Sequence, residues 1–298
     1  LFKTKKIPAR LFTVFKLILF FLFFFILTQQ FEKANLKGNE FALHRPLLLV
    51  LAIGLMPLNW FLEWKKWILI TNEESYTNRR NSFFAGIVSS MFTPAMVGQL
   101  AGRFLFSESI ERGRITVLTL QSNFSQFLVT LFFGGIAILF VEHSMFFDAS
   151  AGIVWSMVCL FAVVYFLPER FLRMVIGNSA GFLCENQIRS RFLFFSFLRH
   201  LVFSVQFFCV LLAFGAGCSK DLFYWIWVVY LLVTLVPSLF LGKLVIRESI
   251  AVFVLTSAGI GIQHWIVLVS SLSIWMVNLL LPSFLALLFL RSHQTLNK

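Results

Sequence analysis

Pro237-Ser238-Leu239-Phe240-Leu241-Gly242-Lys243-Leu244-Val245-Ile246-Arg247-Glu248-Ser249 sets a proline, a glycine, two cations and a carboxylate between two strongly apolar segments. Apolar runs elsewhere in the chain need only cross a membrane. Here the backbone breaks, and Arg247 and Glu248 fall at or just inside the lipid boundary. Ionisable groups at that depth are costly, persist where they pair or line a cavity, and by default mark a functional site. An earlier stretch, Pro94-Ala95-Met96-Val97-Gly98-Gln99-Leu100-Ala101-Gly102-Arg103, echoes the pattern. Its glycine Gly98 stands five residues before Arg103, as Gly242 stands five before Arg247.

On either side, apolar runs of about 20 residues recur, each long enough to span a hydrocarbon core. The 298 residues are 59% hydrophobic and 13% charged, which leaves no stretch for a soluble catalytic domain. The expectation is an all-α polytopic integral membrane protein whose residues 1–298 form a single domain. An outer-membrane barrel would alternate in short strands between turns, a pattern the chain lacks. The 40 phenylalanines read as lipid-facing and packing bulk. A net charge of +12 invites a nucleic-acid or anionic-lipid reading, but the cations cluster in particular loops, as the positive-inside rule requires. No nucleic-acid partner is expected.

Cys159, Cys184, Cys209 and Cys218 lie apart without CxxC spacing and read as small core residues. The five histidines form no HxxxH or HExxH pair, and Asp148 and Asp221 are the only aspartates. No metal and no cofactor are therefore expected.

Taken in order, Lys3, Lys5, Lys6 and Arg10 precede the apolar run Leu11–Leu27. Thr28-Gln29-Gln30 offers no small-residue cleavage site, so the run reads as an uncleaved first helix with its N-terminus inside. A chain that opens on Leu1 rather than Met implies a few preceding native residues. The second span, about Pro46–Leu62, ends in Glu63-Trp64-Lys65-Lys66-Trp67, which reads as an interfacial belt of tryptophans flanking lysines. Arg79 and Arg80 then mark an inside loop.

The segment Phe83–Leu100 allows two readings. As a full crossing it would put Arg103, Arg112, Arg114, Arg170, Arg173, Arg189 and Arg191 outside. As a re-entrant dip it leaves every basic loop on one side, with Pro94, Gly98 and Gly102 breaking the helix. The dip is the favoured reading. Irregular backbone at that depth is tolerated only within protein or against a water-filled cavity.

The next spans are expected near Ile115–Val141, Ala151–Leu167, Phe192–Phe214 and Leu222–Leu241. Gln121, Ser122, Asn123, Ser125 and Gln126 in the first of these either bond between helices or line a polar path. Arg199 in the third either snorkels to headgroups or serves a site, with Gln206 deeper. Glu142-His143 reads as an interfacial pair in an outer loop.

Ile250–Gly261 is too short to span alone and forms a hairpin with the long Ile262–Leu290, the two joined at Gly259 and Gly261. The short helix is expected to begin at Glu248, with its carboxylate at the positive end. The architecture is thus about six full spans, a re-entrant segment, and a half-helix/long-helix hairpin, with both termini cytoplasmic. Broken elements in separate halves suggest repeat-related halves with a site between them.

These motifs resemble the flippase-like membrane domain of the lysylphosphatidylglycerol synthase transmembrane family, in its stand-alone form without the synthetase domain. Pro94, Gly98-Gln99 and Arg103 look like its early motif. Pro237-Ser238, Gly242, Arg247-Glu248-Ser249 and Gly259 look like its late one. Two positions depart: Gln99 stands where the family often has glutamate, and Lys243 where a neutral residue is common. The resemblance implies handling of a charged-headgroup phospholipid, or a lipid-linked substrate, between leaflets of a bacterial inner membrane. Flipping requires shielding a polar headgroup from hydrocarbon, and the residues expected to bind substrate in such a groove are Gln99, Arg103, Gln121, Asn123, Arg199, Gln206, Lys243, Arg247 and Glu248. The helix breaks would be Pro94, Gly98, Gly102, Pro237, Gly242 and Gly259.

The arginines would engage phosphate bidentately. Alternatively, Arg247 and Glu248 merely staple the half-helix to its neighbours, each finding another partner because adjacent helical residues do not face each other. The overall reading is non-enzymatic. A second reading is a non-catalytic membrane partner of a cell-envelope synthase, or a homo-oligomer. A third, a membrane-embedded transferase, would ask for a DxD or a paired histidine and carboxylate within one segment.

Overall fold

The computed structural model describes residues 43–90, 97–107, 110–141, 145–168, 170–171, 174, 177–183, 185–236 and 242–294, and these form helices joined by turns and loops, with no strand among them. Helix α1 (Pro46–Gly54) runs into α2 (Met56–Ile70) through Leu55, whose backbone stays in the helical region. Pro57 explains the joint, because its ring meets the carbonyl four residues back and it lacks an N–H. The helix pair therefore reaches Ile70, well beyond the expected end at Leu62.

Helix α3 (Tyr76–Ser90) and the short α4 (Val97–Phe104) pack closely together. Gly102 makes this possible, since a Cβ there would lie 2.3 Å from the Ala85 carbonyl oxygen and 2.1 Å from Ser89 Oγ. Gly98 and Gly102 lie within α4 and do not break it; Gly102 serves close approach instead. The expected break at Pro94 lies outside the described residues.

Helix α5 (Arg112–Phe140) has 29 residues and rises ~44 Å at about 1.5 Å per residue, more than the ~30 Å hydrocarbon core. Gly134 on it lets Leu231 of α8 (Lys220–Leu235) approach closely, and Gly135 faces Trp155 of α6 (Met145–Phe166). Helix α7 (Asn186–Ala213) packs against α1, α2, α5, α8 and the later α10. Ser196, His200 and Ser204 make a buried stripe at four-residue spacing along it, and small side chains at such spacing let membrane helices meet closely.

Helix α9 (Gly242–Ser257) has 16 residues, not about 12. It starts at Gly242, so Glu248 sits well inside the helix rather than at its N-terminus. Gly259 and Gly261 adopt φ of +68° and +69°, the left-handed conformation that turns the chain into α10 (His264–Trp275). There the expected break stands. A π-helical turn, Met276–Leu280, interrupts the long last helix before α11 (Leu281–Gln294), which packs on α3.

Among the described residues, four helical stretches are long and apolar enough to cross a membrane: Pro46–Ile70, Arg112–Phe140, Asn186–Ala213 and His264–Leu290. Ala151–Phe166 is apolar but shorter, and α8 has 16 residues. The expected first span, Leu11–Leu27, lies outside the described residues, as does Glu142-His143. Large apolar side chains such as Leu47, Val163, Phe194 and Phe253 face outward. Others, including Phe133, Phe207, Leu211, Ile226 and Leu255, form the buried core. Apolar residues inside and outside together are the mark of a polytopic membrane protein.

Two arginines expected merely to mark inside loops close helix ends. Arg189 is buried and donates through Nη1 to the carbonyls of Tyr165 and Leu167, at 3.0 Å each, where α6 ends. Arg79 donates to the carbonyls of Thr71, Asn72 and Glu74 beyond α2. Terminal carbonyls have no intrahelical partner, and a guanidinium satisfies them. Of the cysteines, Cys209 is buried as expected, whereas Cys159 and Cys218 are exposed.

Candidate functional site

Asn59, Glu63 and Lys66 of α2 stand at helical spacing, so one face of a largely apolar helix carries an amide, a carboxylate and an ammonium. Lys66 is fully buried and Glu63 is 8% exposed, so the belt expected around Trp64–Trp67 is corrected: Lys66 and Trp67 belong to the interior. The helix runs on to Ile70, which carries these residues past the expected interface and into the bundle.

Three cations converge on Glu63. Arg199 of α7 donates from Nη1 to Oε2 at 2.5 Å, and Arg103 of α4 from Nη2 to Oε1 at 3.4 Å. Lys66 Nζ lies 3.9 Å from Oε2. Neutral groups complete the coordination. Lys66 donates to the Ser122 carbonyl at 2.8 Å and to Ser196 Oγ at 3.0 Å. Arg103 donates to Thr119 Oγ1 at 3.0 Å and lies 4.2 Å over the Trp67 ring, a cation–π contact. Arg103 Nε is buried without a partner among the described residues.

The polar chain continues away from the carboxylate. Arg199 Nε donates to Asn59 Oδ1 at 2.7 Å, and Asn59 Nδ2 to Asn278 Oδ1 at 3.3 Å. Asn278 Nδ2 donates to Gln206 Oε1 at 3.1 Å, and Gln206 Nε2 to the Ala52 carbonyl at 2.9 Å. Asn278 sits on the π-helical turn, a local widening of the helix that recurs at functional sites. Burying such groups is tolerable only when each is hydrogen-bonded or paired, and the chain achieves this almost throughout.

Of the residues expected to bind substrate, Arg103, Arg199 and Gln206 thus belong to one network. Gln99 and Asn123 meet each other, with Asn123 Nδ2 donating to Gln99 Oε1 at 3.3 Å. Gln121 is buried in α5. Arg199 does not simply snorkel: it is 22% exposed and bonded on its inner side to Glu63 and Asn59.

Arg247 and Glu248 are brought together on α9, and the expectation that each must look elsewhere is corrected. Arg247 Nη2 donates to Glu248 Oε1 at 2.6 Å and to the Ser271 carbonyl of α10 at 2.8 Å. The long guanidinium stem curls back over its neighbour, which helical spacing alone does not forbid. Glu248 is buried, and its Oε2 has no partner among the described residues. Pro237 and the side chain of Lys243 lie outside the described residues.

Asn59, Glu63, Lys66, Thr119 and Asn278 were missed as site residues. The polar face at 59, 63 and 66 was the signal available in the sequence. A cavity of about 560 Å³ lies among other residues, lined by Glu73, Glu111, Arg114, Phe182 and Glu185. Arg114 bridges to Glu73 at 2.8 Å there. Among the described residues no group of three or more histidine, cysteine, aspartate or glutamate side chains is placed to hold a metal.

No family model, curated protein or solved structure matches the chain.

Proposed function

We propose that this protein is a lipid-translocase-like membrane protein, one that binds a charged-headgroup lipid or lipid-linked substrate and moves it between leaflets. The observation that carries the reading is the continuous polar chain from Thr119 through Arg103, Glu63, Arg199, Asn59 and Asn278 to Gln206. A headgroup can cross hydrocarbon only where polar partners replace its water. Intramembrane ionisable groups that pair in a bundle interior are expected on such paths. The family resemblance of the two motifs supports the same reading, as does the α3–α4 hairpin, whose close packing fits a segment that dips into the bilayer and returns. The two glycine-to-arginine motifs also both lie within helices, Gly98 to Arg103 in α4 and Gly242 to Arg247 in α9. That likeness suits halves related by an internal repeat.

On this reading the protein is not an enzyme and resides in a bacterial inner membrane with both termini cytoplasmic. Flipping of fluorescent phosphatidylglycerol, an aminoacylated derivative and a neutral lipid in proteoliposomes tests it. Headgroup-dependent flipping is expected for the wild type, and its loss is expected in folded Arg103→Ala and Glu248→Gln variants. Flipping that ignores both substitutions would remove these residues from the path. No flipping of any lipid would favour instead a non-catalytic partner of an envelope synthase.

A further inference from the structure

Among the described residues, Lys66, Arg103 and Arg199 face a single carboxylate, Glu63, which gives these four side chains a formal charge of +2. The other groups that touch it, Asn59, Thr119, Ser122, Ser196 and Trp67, are neutral. Excess positive charge in a low-dielectric interior is unfavourable, and an anion entering the cluster would relieve it. We propose that the Glu63 cluster is a binding site for the phosphate of an anionic lipid, in which Glu63 holds the arginines until the phosphate takes its place.

The members of the cluster have different parts in this. Lys66 is fully buried and its amine already has Ser122, Ser196 and Glu63, so it fixes the carboxylate and the local potential. Arg103 is held by Thr119 and stacked on Trp67, yet its buried Nε has no acceptor among the described residues. Arg199 is the member that reaches the surface, at 22% exposure. It can exchange the Glu63 oxygen for a phosphate oxygen while its Nε keeps Asn59. Two guanidinium groups with planar donor forks suit the tetrahedral oxygens of a phosphate better than a spherical ion.

A lipid is the favoured source because the helices that carry Asn59, Arg199 and Asn278 also expose Leu58, Phe197 and Met276, apolar side chains that suit acyl tails. A free phosphate has the same chemistry and is a separate arm of the test. The inference rests on the lipid reading above for its ligand, but its test is of binding and requires no transport.

The experiment titrates the full chain in neutral detergent with short-chain phosphatidylglycerol, phosphatidic acid, phosphatidylcholine and inorganic phosphate, and measures Kd. Both anionic lipids should bind about tenfold more tightly than phosphatidylcholine, whose choline cation opposes the site's charge. Glu63→Gln should tighten phosphatidylglycerol about threefold, because it removes the internal competitor. Arg199→Gln should weaken binding about tenfold, and Arg199→Lys much less, since the charge survives.

A purely structural network predicts that Glu63→Gln weakens binding or leaves it unchanged, and that result would overturn the proposal. So would equal Kd values for phosphatidylglycerol and phosphatidylcholine. If Arg199→Gln or Glu63→Gln does not fold, Arg199→Lys and the wild-type ratio of Kd values for phosphatidylglycerol and phosphatidylcholine decide the matter, because neither removes a charge from the cluster. Binding of inorganic phosphate alone, with the same variant pattern, would overturn the lipid source. Lipid binding that passes every arm without flipping would overturn translocation and leave the site standing.

Discussion

Glu63 is the residue on which the interior depends most. It neutralises part of three buried or half-buried cations, and truncating one member of such a group strands the others. Glu63→Ala is therefore expected to destabilise the protein by about 3–5 kcal/mol, the usual cost of breaking a buried ion pair. Thermal unfolding in detergent, followed by helical circular dichroism, measures it. Gln206→Leu tests the far end of the chain. It removes bonds to Asn278 and the Ala52 carbonyl, and such bonds in membrane interiors average about 0.6 kcal/mol each. Its effect in the same assay should thus be far smaller than that of Glu63→Ala. Equal losses would mean that packing, not charge, dominates the network.

At the scale of elements, glycines set how closely helices approach. Gly102→Val would drive a side chain into the Ala85 carbonyl, which belongs to helix backbone and cannot swing aside. The α3–α4 pair should open, displacing Arg103 from Glu63 and Thr119. Large loss of thermal stability and weakened headgroup-dependent flipping are expected together. Gly152→Ala is the control: a Cβ there meets nothing within 4 Å, and the residue lies within α6. It should be neutral or stabilising by up to about 1 kcal/mol, the helix-propensity difference between the two residues. Gly259→Ala lies between these extremes, since its φ of +68° costs an L-residue about 1–2 kcal/mol. It should loosen the α9–α10 turn without touching the Glu63 cluster.

For the whole molecule, orientation is the open variable, and cysteine labelling reads it directly. Cys218 is exposed between α7 and α8, while Cys209 is buried within α7. If both termini are cytoplasmic, the segment after α7 faces outward. A chain whose only cysteine is Cys218 should then react with a membrane-impermeant maleimide on intact cells, and one retaining only Cys209 should not. Labelling of Cys218 only after lysis would invert the topology and with it the direction of the proposed transport.

Much of this molecule was legible in its sequence. Long apolar runs near Pro46, Ile115, Phe192 and Ile262 determined helices, because a membrane-length apolar segment has few alternatives that satisfy its backbone. Gly259 and Gly261 determined the last turn, because only glycine takes a positive φ without strain. Arg103, Arg199 and Gln206 were recognisable as polar groups in apolar surroundings. What the sequence could not supply was the partner of each charge. Glu63 and Lys66 close an apolar run beside tryptophans, and on that local evidence an interfacial belt and a buried cluster read alike. The tertiary structure decided between them. Arg103 lies 40 residues from Glu63 and Arg199 136 residues away, so their charges compensate only once separate helices have packed. Burial is a property of the assembled bundle, and a buried charge owes its place to neighbours that sequence proximity does not reveal.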